Sequence, residues 1–292
     1  MTPFLGDCHA EHGRFVRDSV VRDLSEKSVL ITGAGRGIGK RLAVGFAQAG
    51  ARVGLLARTK AELDLAQLEI EHSGGIALSL RADVRDYEQV VAAVQRMTAR
   101  FGPPQVLVCA AGVLGPVGGL AGSSPGAWRE VVDTNLVGTF HACRAVLPVM
   151  RELRSGKLLM LVDTGAEIGR PFFSAYAASK AALVRLAESL AEEVREDNIQ
   201  ANCLNPGAAY TSMTDEILRA PGISDRDRAD ALQVRTTGGT TPEKQIQLAL
   251  FLASDRSNHI SGKLIHITDD WRRLESATLS HEVFSLRRLT RS

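Results

Sequence analysis

Aromatic residues are scarce, at 5% of the 292 residues. They are not interleaved with basic ones, which excludes the stacking platforms of single-strand nucleic-acid binders. Excess charge of one sign is also missing: 35 Lys plus Arg face 33 Asp plus Glu, for a formal net charge of +2. Such a balance predicts no polyanion-binding face, and Arg287 with Arg288 is too small a basic cluster to make one. Cysteine is sparse and dispersed. Cys8, Cys109, Cys143 and Cys203 form no CxxC pair, so neither a zinc site nor a disulfide framework is indicated. Three of them sit among apolar or small residues, as buried thiols do. No run of about eighteen apolar residues offers a membrane span. Residues 1–27 mix His9, His12, Arg14, Arg17 and Arg22 with acids and lack the apolar stretch of a secretory signal. His9 and His12 read as solvated, and no metal site is expected. The expectation is a cytoplasmic chain that binds neither nucleic acid nor membrane.

What is present is a regular alternation. Short apolar runs at 29–31, 53–56, 76–80, 106–109, 157–162, 199–204 and 263–267 read as buried strands. Between them lie helical patterns over 37–49, 60–72, 86–101, 128–151, 174–196 and 242–253. Continuously apolar strands between helices predict a parallel sheet covered on both faces. The fold class is therefore α/β, a single doubly wound domain of the Rossmann type. Its expected extent is 28–271, after an N-terminal extension (1–27, with a short helix over 16–24) and before a C-terminal tail (272–292). Residues 115–125 read as a loop. Residues 210–241 break the rhythm, with a short helix over 212–218, and read as a lid.

The first strand runs into Gly33, Ala34, Gly35, Arg36, Gly37, Ile38 and Gly39, which open the first helix. Glycines there permit a tight turn and a close backbone approach to a pyrophosphate, and the helix N-terminus offers free N–H groups. An acid ending the second strand would bind a ribose hydroxyl. Here Ala57 and Arg58 stand there, with Arg36 in the glycine turn, and two guanidinium groups suit a 2′-phosphate. The expected cofactor is NADP(H).

Tyr176 and Lys180, spaced i, i+4, share a helical face. An adjacent ammonium is expected to lower the phenol's pKa and fit it for proton exchange with a ketone or alcohol. With these motifs the chain resembles the short-chain dehydrogenase/reductase family over about 28–267. Further matching segments are Asp83-Val84, Cys109-Ala110-Ala111-Gly112, Thr134-Asn135-Leu136-Val137-Gly138 and Asn205-Pro206-Gly207 with Thr211. The resemblance implies that Tyr176, Lys180 and Asn135 are catalytic, Asn135 holding a relay water. It implies that Asp83 and Val84 meet the adenine, that Lys180 binds the ribose, and that Ala209 and Thr211 meet the carboxamide. Ala110, Ala111, Gly112, Pro206 and Gly207 complete the expected cofactor site. It also implies a homo-oligomer, tetramer or dimer, built on helices 127–150 and 174–194.

The chain departs from the family pattern at two places. Cys109 and Ala110 replace two asparagines. Thirteen residues before Tyr176, where the family has a catalytic serine, stands Asp163. Three roles stay open: a protonated Asp163 donating to the substrate carbonyl, Thr164 supplying the hydroxyl, or an ionised Asp163 binding another part of the substrate. Glu167, Asp215, Glu216, Asp269 and Asp270 are further acids near the expected pocket. Glu167, Phe173, Met213 and Trp271 are the candidate substrate contacts. The expected reaction is NADPH-dependent hydride transfer to and from a ketone or secondary alcohol of a polar small molecule, such as an amino sugar or cyclitol. A redox-neutral epimerase or dehydratase and a catalytically weakened NADP-binding protein are the alternatives.

Overall fold

The computed structural model describes residues 24–280 and 283–286. The helix expected over 16–24 lies outside them, save for the buried Leu24. The strands are β1 (Ser28–Thr32), β2 (Arg52–Ala57), β3 (Ile76–Arg81), β4 (Val106–Cys109), β5 (Gly156–Leu161), β6 (Ile199–Asn205) and β7 (Leu264–His266). All pair in parallel, in the order β3-β2-β1-β4-β5-β6-β7. The sheet grows one way from β1 and the other way from β4, so the crevice between these strands is the switch point where such sheets bind ligands.

Alternation along each strand divides the core into two layers. Val29, Ile31, Val106, Val108, Leu159 and Leu161 face one layer, with Leu42 and Phe46 of α1 (Gly37–Gln48) and Leu248 of α9 (Pro242–Ala253). Leu30, Leu107, Cys109, Leu158 and Met160 face the other. There they meet Met97 of α3 (Tyr87–Phe101), Val146 of α5 (Gly138–Leu153) and Leu183 of α6 (Ser174–Glu193). Each fully buried aliphatic side chain contributes about 1.5–3 kcal/mol over an exposed one.

The second helix, α2 (Lys60–His72), keeps its expected bounds. The expected helix over 128–151 differs in kind. It starts at Pro125 as α4 (Pro125–Val132), passes through a π-helical turn (Asp133–Val137) and continues as α5. The loop expected over 115–125 thus ends one residue earlier, where Ser124 caps α4 and accepts from Ala127 N–H at 3.4 Å. The segment expected to be a lid, 210–241, is more helical than its sequence suggests. It holds α7 (Ser212–Arg219) and α8 (Asp225–Thr237). Only Ala231 of α8 is buried, so the helix carries no apolar stripe for a periodicity reading to detect. An isolated antiparallel bridge between Ala209 and Gly239 closes the base of this segment. In the tail, α10 (Trp271–Leu274) is followed by a segment that reaches β7, where Phe284 C=O accepts from Leu264 N–H at 2.8 Å.

Lys157 is an anomaly on β5. It is 5% exposed, and its ammonium donates to Ser257 Oγ at 3.2 Å. Burial pushes its pKa down to about 7, against the pull of Asp255 and helped by Lys27. Its folded pKa lies below its unfolded value, so the unfolded chain holds more protons between pH 7 and about 10.5, and this group makes stability rise with pH through that window. Lys157→Met is expected to stabilise the protein near pH 6 by up to about 5 kcal/mol. The gain should fade toward pH 10, as read by urea denaturation of both proteins across pH. An equal gain at every pH would show that the charge is not the cause.

Candidate active site

One cleft of about 920 Å³ opens at the carboxyl ends of the strands. At its floor Gly33 has φ +68°, and a Cβ there would lie 2.7 Å from Ala111 Cα. A Cβ at Gly39 would lie 2.3 Å from Gly33 O. The turn therefore lies flat against the 110–112 segment, and Thr32 Oγ1 accepts from Ala111 N–H at 3.2 Å. Arg36, the N-cap of α1, makes no capping bond with its side chain, which leaves the first-turn N–H groups to an anion. Thr134 Oγ1 is buried in the cleft wall with no hydrogen-bond partner among the described residues. A close-lying glycine turn, uncapped N–H donors and an unpartnered hydroxyl fit a dinucleotide.

The expected cofactor residues Gly33, Gly35, Arg36, Gly37, Ile38, Gly39, Arg58, Asp83, Val84, Ala110, Ala111, Gly112, Pro206, Gly207, Ala209 and Thr211 all line this cleft. Thr211, N-cap of α7, forms a capping box with Thr214. A Cβ on Gly37 would lie 3.4 Å from Thr211 Cγ2, so the start of α7 meets the glycine turn across the cleft. Asp83 is gripped by Arg85 (Nη2 to Oδ2, 2.7 Å), whose hydrogen bonds hold its carboxyl below the usual range.

Tyr176 and Lys180 lie on α6, both 6% exposed. Lys180 Nζ donates to Leu161 C=O at 2.8 Å and lies 5.5 Å from the Tyr176 ring centroid. The expectation of a lowered phenol pKa is corrected here. Burial pushes Tyr176 up, and the charge of Asp163 pushes it further against the pull of Arg170. Burial likewise pushes Lys180 down, although Asp163 opposes this. Desolvation outweighs the neighbouring cation because the phenolate would be the buried charge.

Asn135 sits in the π-helical turn, a distortion frequent at functional sites. Its Oδ1 accepts from Val113 N–H at 2.8 Å, and its Nδ2 donates to Val113 C=O at 3.1 Å and Ser179 Oγ at 3.0 Å. The side chain thus ties the strand-β4 loop to α6. A Cβ on Gly112 would lie 3.4 Å from Asn135 Oδ1 and 3.7 Å from Lys180 Nζ, which places the three side by side.

Asp163 caps the 3₁₀ turn Thr164–Ala166, accepting from Gly165 N–H at 3.0 Å. Its second oxygen lies 3.8 Å from Arg170 Nη1. Burial pushes its pKa up, while Lys180 and Arg170 pull it down. Arg170 also donates twice to Asp227 Oδ1 of α8, each at 3.2 Å, and lies 3.8 Å above the Phe173 ring. One guanidinium therefore joins the turn after β5 to α8. Thr164 is exposed and lines the cleft beside Asp163.

The expected substrate contacts divide. Met213 lines the cleft. Glu167 does not: its carboxylate accepts from Asn205 Nδ2 at 3.0 Å. Phe173 is buried under Arg170 with Leu114, Tyr176 and Ile223, and the cleft wall is formed by its neighbour Phe172. Trp271 packs on Phe251, ring centroids 5.1 Å apart, half-buried against the core beside α9. Of the other acids, Glu216 reaches the cleft, whereas Asp215 accepts from Tyr210 Oη at 3.2 Å, Asp269 from His266 N–H, and Asp270 pairs with Arg273. Sequence reasoning missed Glu62, Thr134, Arg170, Arg226, Asp227 and Asp230, all lining the cleft. The signal for the last three was the charge density before Gly238.

A dinucleotide-type crevice with a buried Tyr–Lys pair at its inner end defines the class, an oxidoreductase scaffold built on a doubly wound sheet. A family model described as short chain dehydrogenase matches residues 27–221. The chain is 31% identical over 243 residues to a 3-oxoacyl-[acyl-carrier-protein] reductase FabG of Staphylococcus aureus, covering 82% of this chain and 96% of that one. It is 35% identical over 245 residues to oxidoreductase UcpA of Salmonella typhimurium, covering 82% and 92%. A crystal structure of gluconate 5-dehydrogenase from Burkholderia cenocepacia in complex with NADP and tartrate aligns with TM-score 0.76 at 30% identity, covering 86% and 96%. The chain belongs to the short-chain dehydrogenase family. It is an oxidoreductase of the class acting on CH–OH and C=O groups. Among the described residues no helix is long and apolar enough to cross a membrane.

Proposed function

We propose that this chain is an NADP(H)-dependent reductase of a polar ketone, running in reverse as a dehydrogenase of the matching secondary alcohol. The observation that carries the reading is the buried Tyr176–Lys180 pair at the inner end of a cleft whose outer end holds Arg36 and Arg58. Bound there, the nicotinamide would supply or accept the hydride. Tyr176 donates the proton to the carbonyl oxygen. Lys180, fixed by Leu161 C=O, holds the ribose and lends its charge to the phenolate. Asn135 locks the strand-β4 loop against α6 and so sets the distance between Lys180 and Gly112. Asp163 orients the substrate in place of a serine, with Thr164 beside it.

Support for a polar substrate comes from the wall around this centre. Asp163, Glu216, Asp227 and Asp230 line it against Arg170 and Arg226, an acidic surplus that suits an amine-bearing or polyhydroxylated molecule. Phe172, Met213 and Ile217 supply an apolar side. NADPH oxidation against amino-sugar and cyclitol ketones, with 3-oxoacyl thioesters alongside, tests the reading. Turnover of the polar set is expected. Turnover confined to thioesters would overturn the substrate class, and turnover without net cofactor oxidation would point to epimerisation. We further infer assembly with copies of itself through α5, where Phe140 is 45% exposed. Light scattering of the purified protein checks this.

A further inference from the structure

The carboxyl end of β2 is where a dinucleotide-binding sheet chooses between a 2′-hydroxyl and a 2′-phosphate. The last residues of that strand offer no acid. Folding brings one there from α2. Glu62 lies in the first turn of that helix and lines the cleft with Arg36, Arg58 and the glycine turn. A Cβ built on Gly35 would stand 3.0 Å from Glu62 Cβ and 3.3 Å from its Oε2, so the carboxylate rests against the turn itself. Arg36 Nη1 lies 3.4 Å from Glu62 Oε1, and among the described residues this is the only ion pair of either.

The neighbouring charges are committed elsewhere. Lys40 pairs with Glu69, Lys60 with Asp64, and Asp83 is gripped by Arg85. Arg58 is exposed and forms no ion pair among the described residues. The mouth therefore presents one guanidinium outside any ion pair, one guanidinium held by a carboxylate, and that carboxylate. A 2′-phosphate would have to take Arg36 away from Glu62 and lie beside a like charge. A 2′-hydroxyl would instead find an acceptor in Glu62.

We propose that Glu62 is a specificity-determining residue that holds down the preference for NADP(H) over NAD(H) by occupying Arg36. The proposal rests on the cofactor reading above, and it makes the wild-type protein a binder of both cofactors with a modest bias. Its test is binding, which requires no substrate. Dissociation constants for NADPH and NADH are measured by nicotinamide fluorescence for the wild type, Glu62→Gln, Glu62→Lys, Arg36→Met and the Glu62→Gln/Arg36→Met double variant. Glu62→Gln is isosteric, and the wild-type side chain is 33% exposed, so the fold is expected to tolerate it.

The ratio of NADPH to NADH affinity is expected to rise about fivefold in Glu62→Gln, the scale of an exposed ion pair, and further in Glu62→Lys. With Arg36 replaced, Glu62→Gln should change the ratio less, by only the part owed to the like charge and the lost acceptor, because there is no guanidinium left to release. A ratio that stays constant or falls in Glu62→Gln overturns the proposal, as does an undiminished rise in the Arg36→Met background. A wild type that binds neither nucleotide overturns the cofactor reading and this proposal together. Tight binding with no turnover on any ketone sinks the reductase reading and leaves the role of Glu62 standing.

Discussion

Tyr176→Phe is expected to lower turnover by about 10²- to 10⁴-fold, the range that a positioned proton donor supplies. NADPH should bind nearly as well as to wild type. The physical case is that only the hydroxyl is removed. The ring is packed with Leu114, Phe173 and Ile223, and its apolar burial is kept. The hydroxyl makes no structural hydrogen bond that other described residues depend on: Ser179 bonds to the Tyr176 backbone carbonyl at 2.7 Å, which phenylalanine retains. Single-turnover rates with premixed NADPH, together with NADPH binding, separate chemistry from affinity. A variant within a few-fold of wild type would remove Tyr176 as the proton donor and make Asp163 the leading candidate.

Substitution of Asp163 is the second large effect, and its pH dependence is more informative than its size. Asp163 charge pushes the Tyr176 phenol upward. Alcohol oxidation needs the phenolate, so its rate rises with pH through the phenol's pKa. Asp163→Asn removes the charge and keeps the shape. The pH at which oxidation reaches half its maximum is therefore expected to fall by about one unit. The shift occurs only if the wild-type carboxyl is ionised at that pH. No shift would mean that Asp163 is neutral there, as its burial favours, and so able to donate to the substrate oxygen. Asp163→Ser then separates the remaining roles. If it keeps or raises ketone reduction, Asp163 is a stand-in for serine. If Ser and Asn both abolish turnover, the carboxyl has a task of its own, and recognition of a substrate amine becomes the leading account. Arg170→Met should act oppositely on the pH profile, because Arg170 pulls both Asp163 and Tyr176 down.

Much of this architecture was legible beforehand. The seven strands and most of the helices follow from apolar runs and their spacing, and α2 and α9 keep their expected bounds. The end of the cleft proposed for the cofactor is equally legible, because its lining residues come from contiguous motifs, each following a strand. The end proposed for the substrate is not. Trp271, a candidate substrate contact, is instead packed on Phe251. Glu167 sits four residues after Asp163 but turns to Asn205. Asp227 lies 64 residues from Asp163 in sequence and is joined to it through Arg170. Helix α8, which carries Asp227, has no apolar stripe and left no periodic trace.

The sequence by itself determined the parallel sheet, the glycine turn and the Tyr–Lys pair, because each depends on local pattern and nearest neighbours. The direction of the Tyr176 shift, the partners of Arg170, the placing of Glu62 beside Arg36 and the packing of Trp271 on Phe251 were decided only by the tertiary structure. These depend on desolvation and on side chains meeting from distant elements. Both are set by how the layers pack, and no spacing along one strand or helix encodes them.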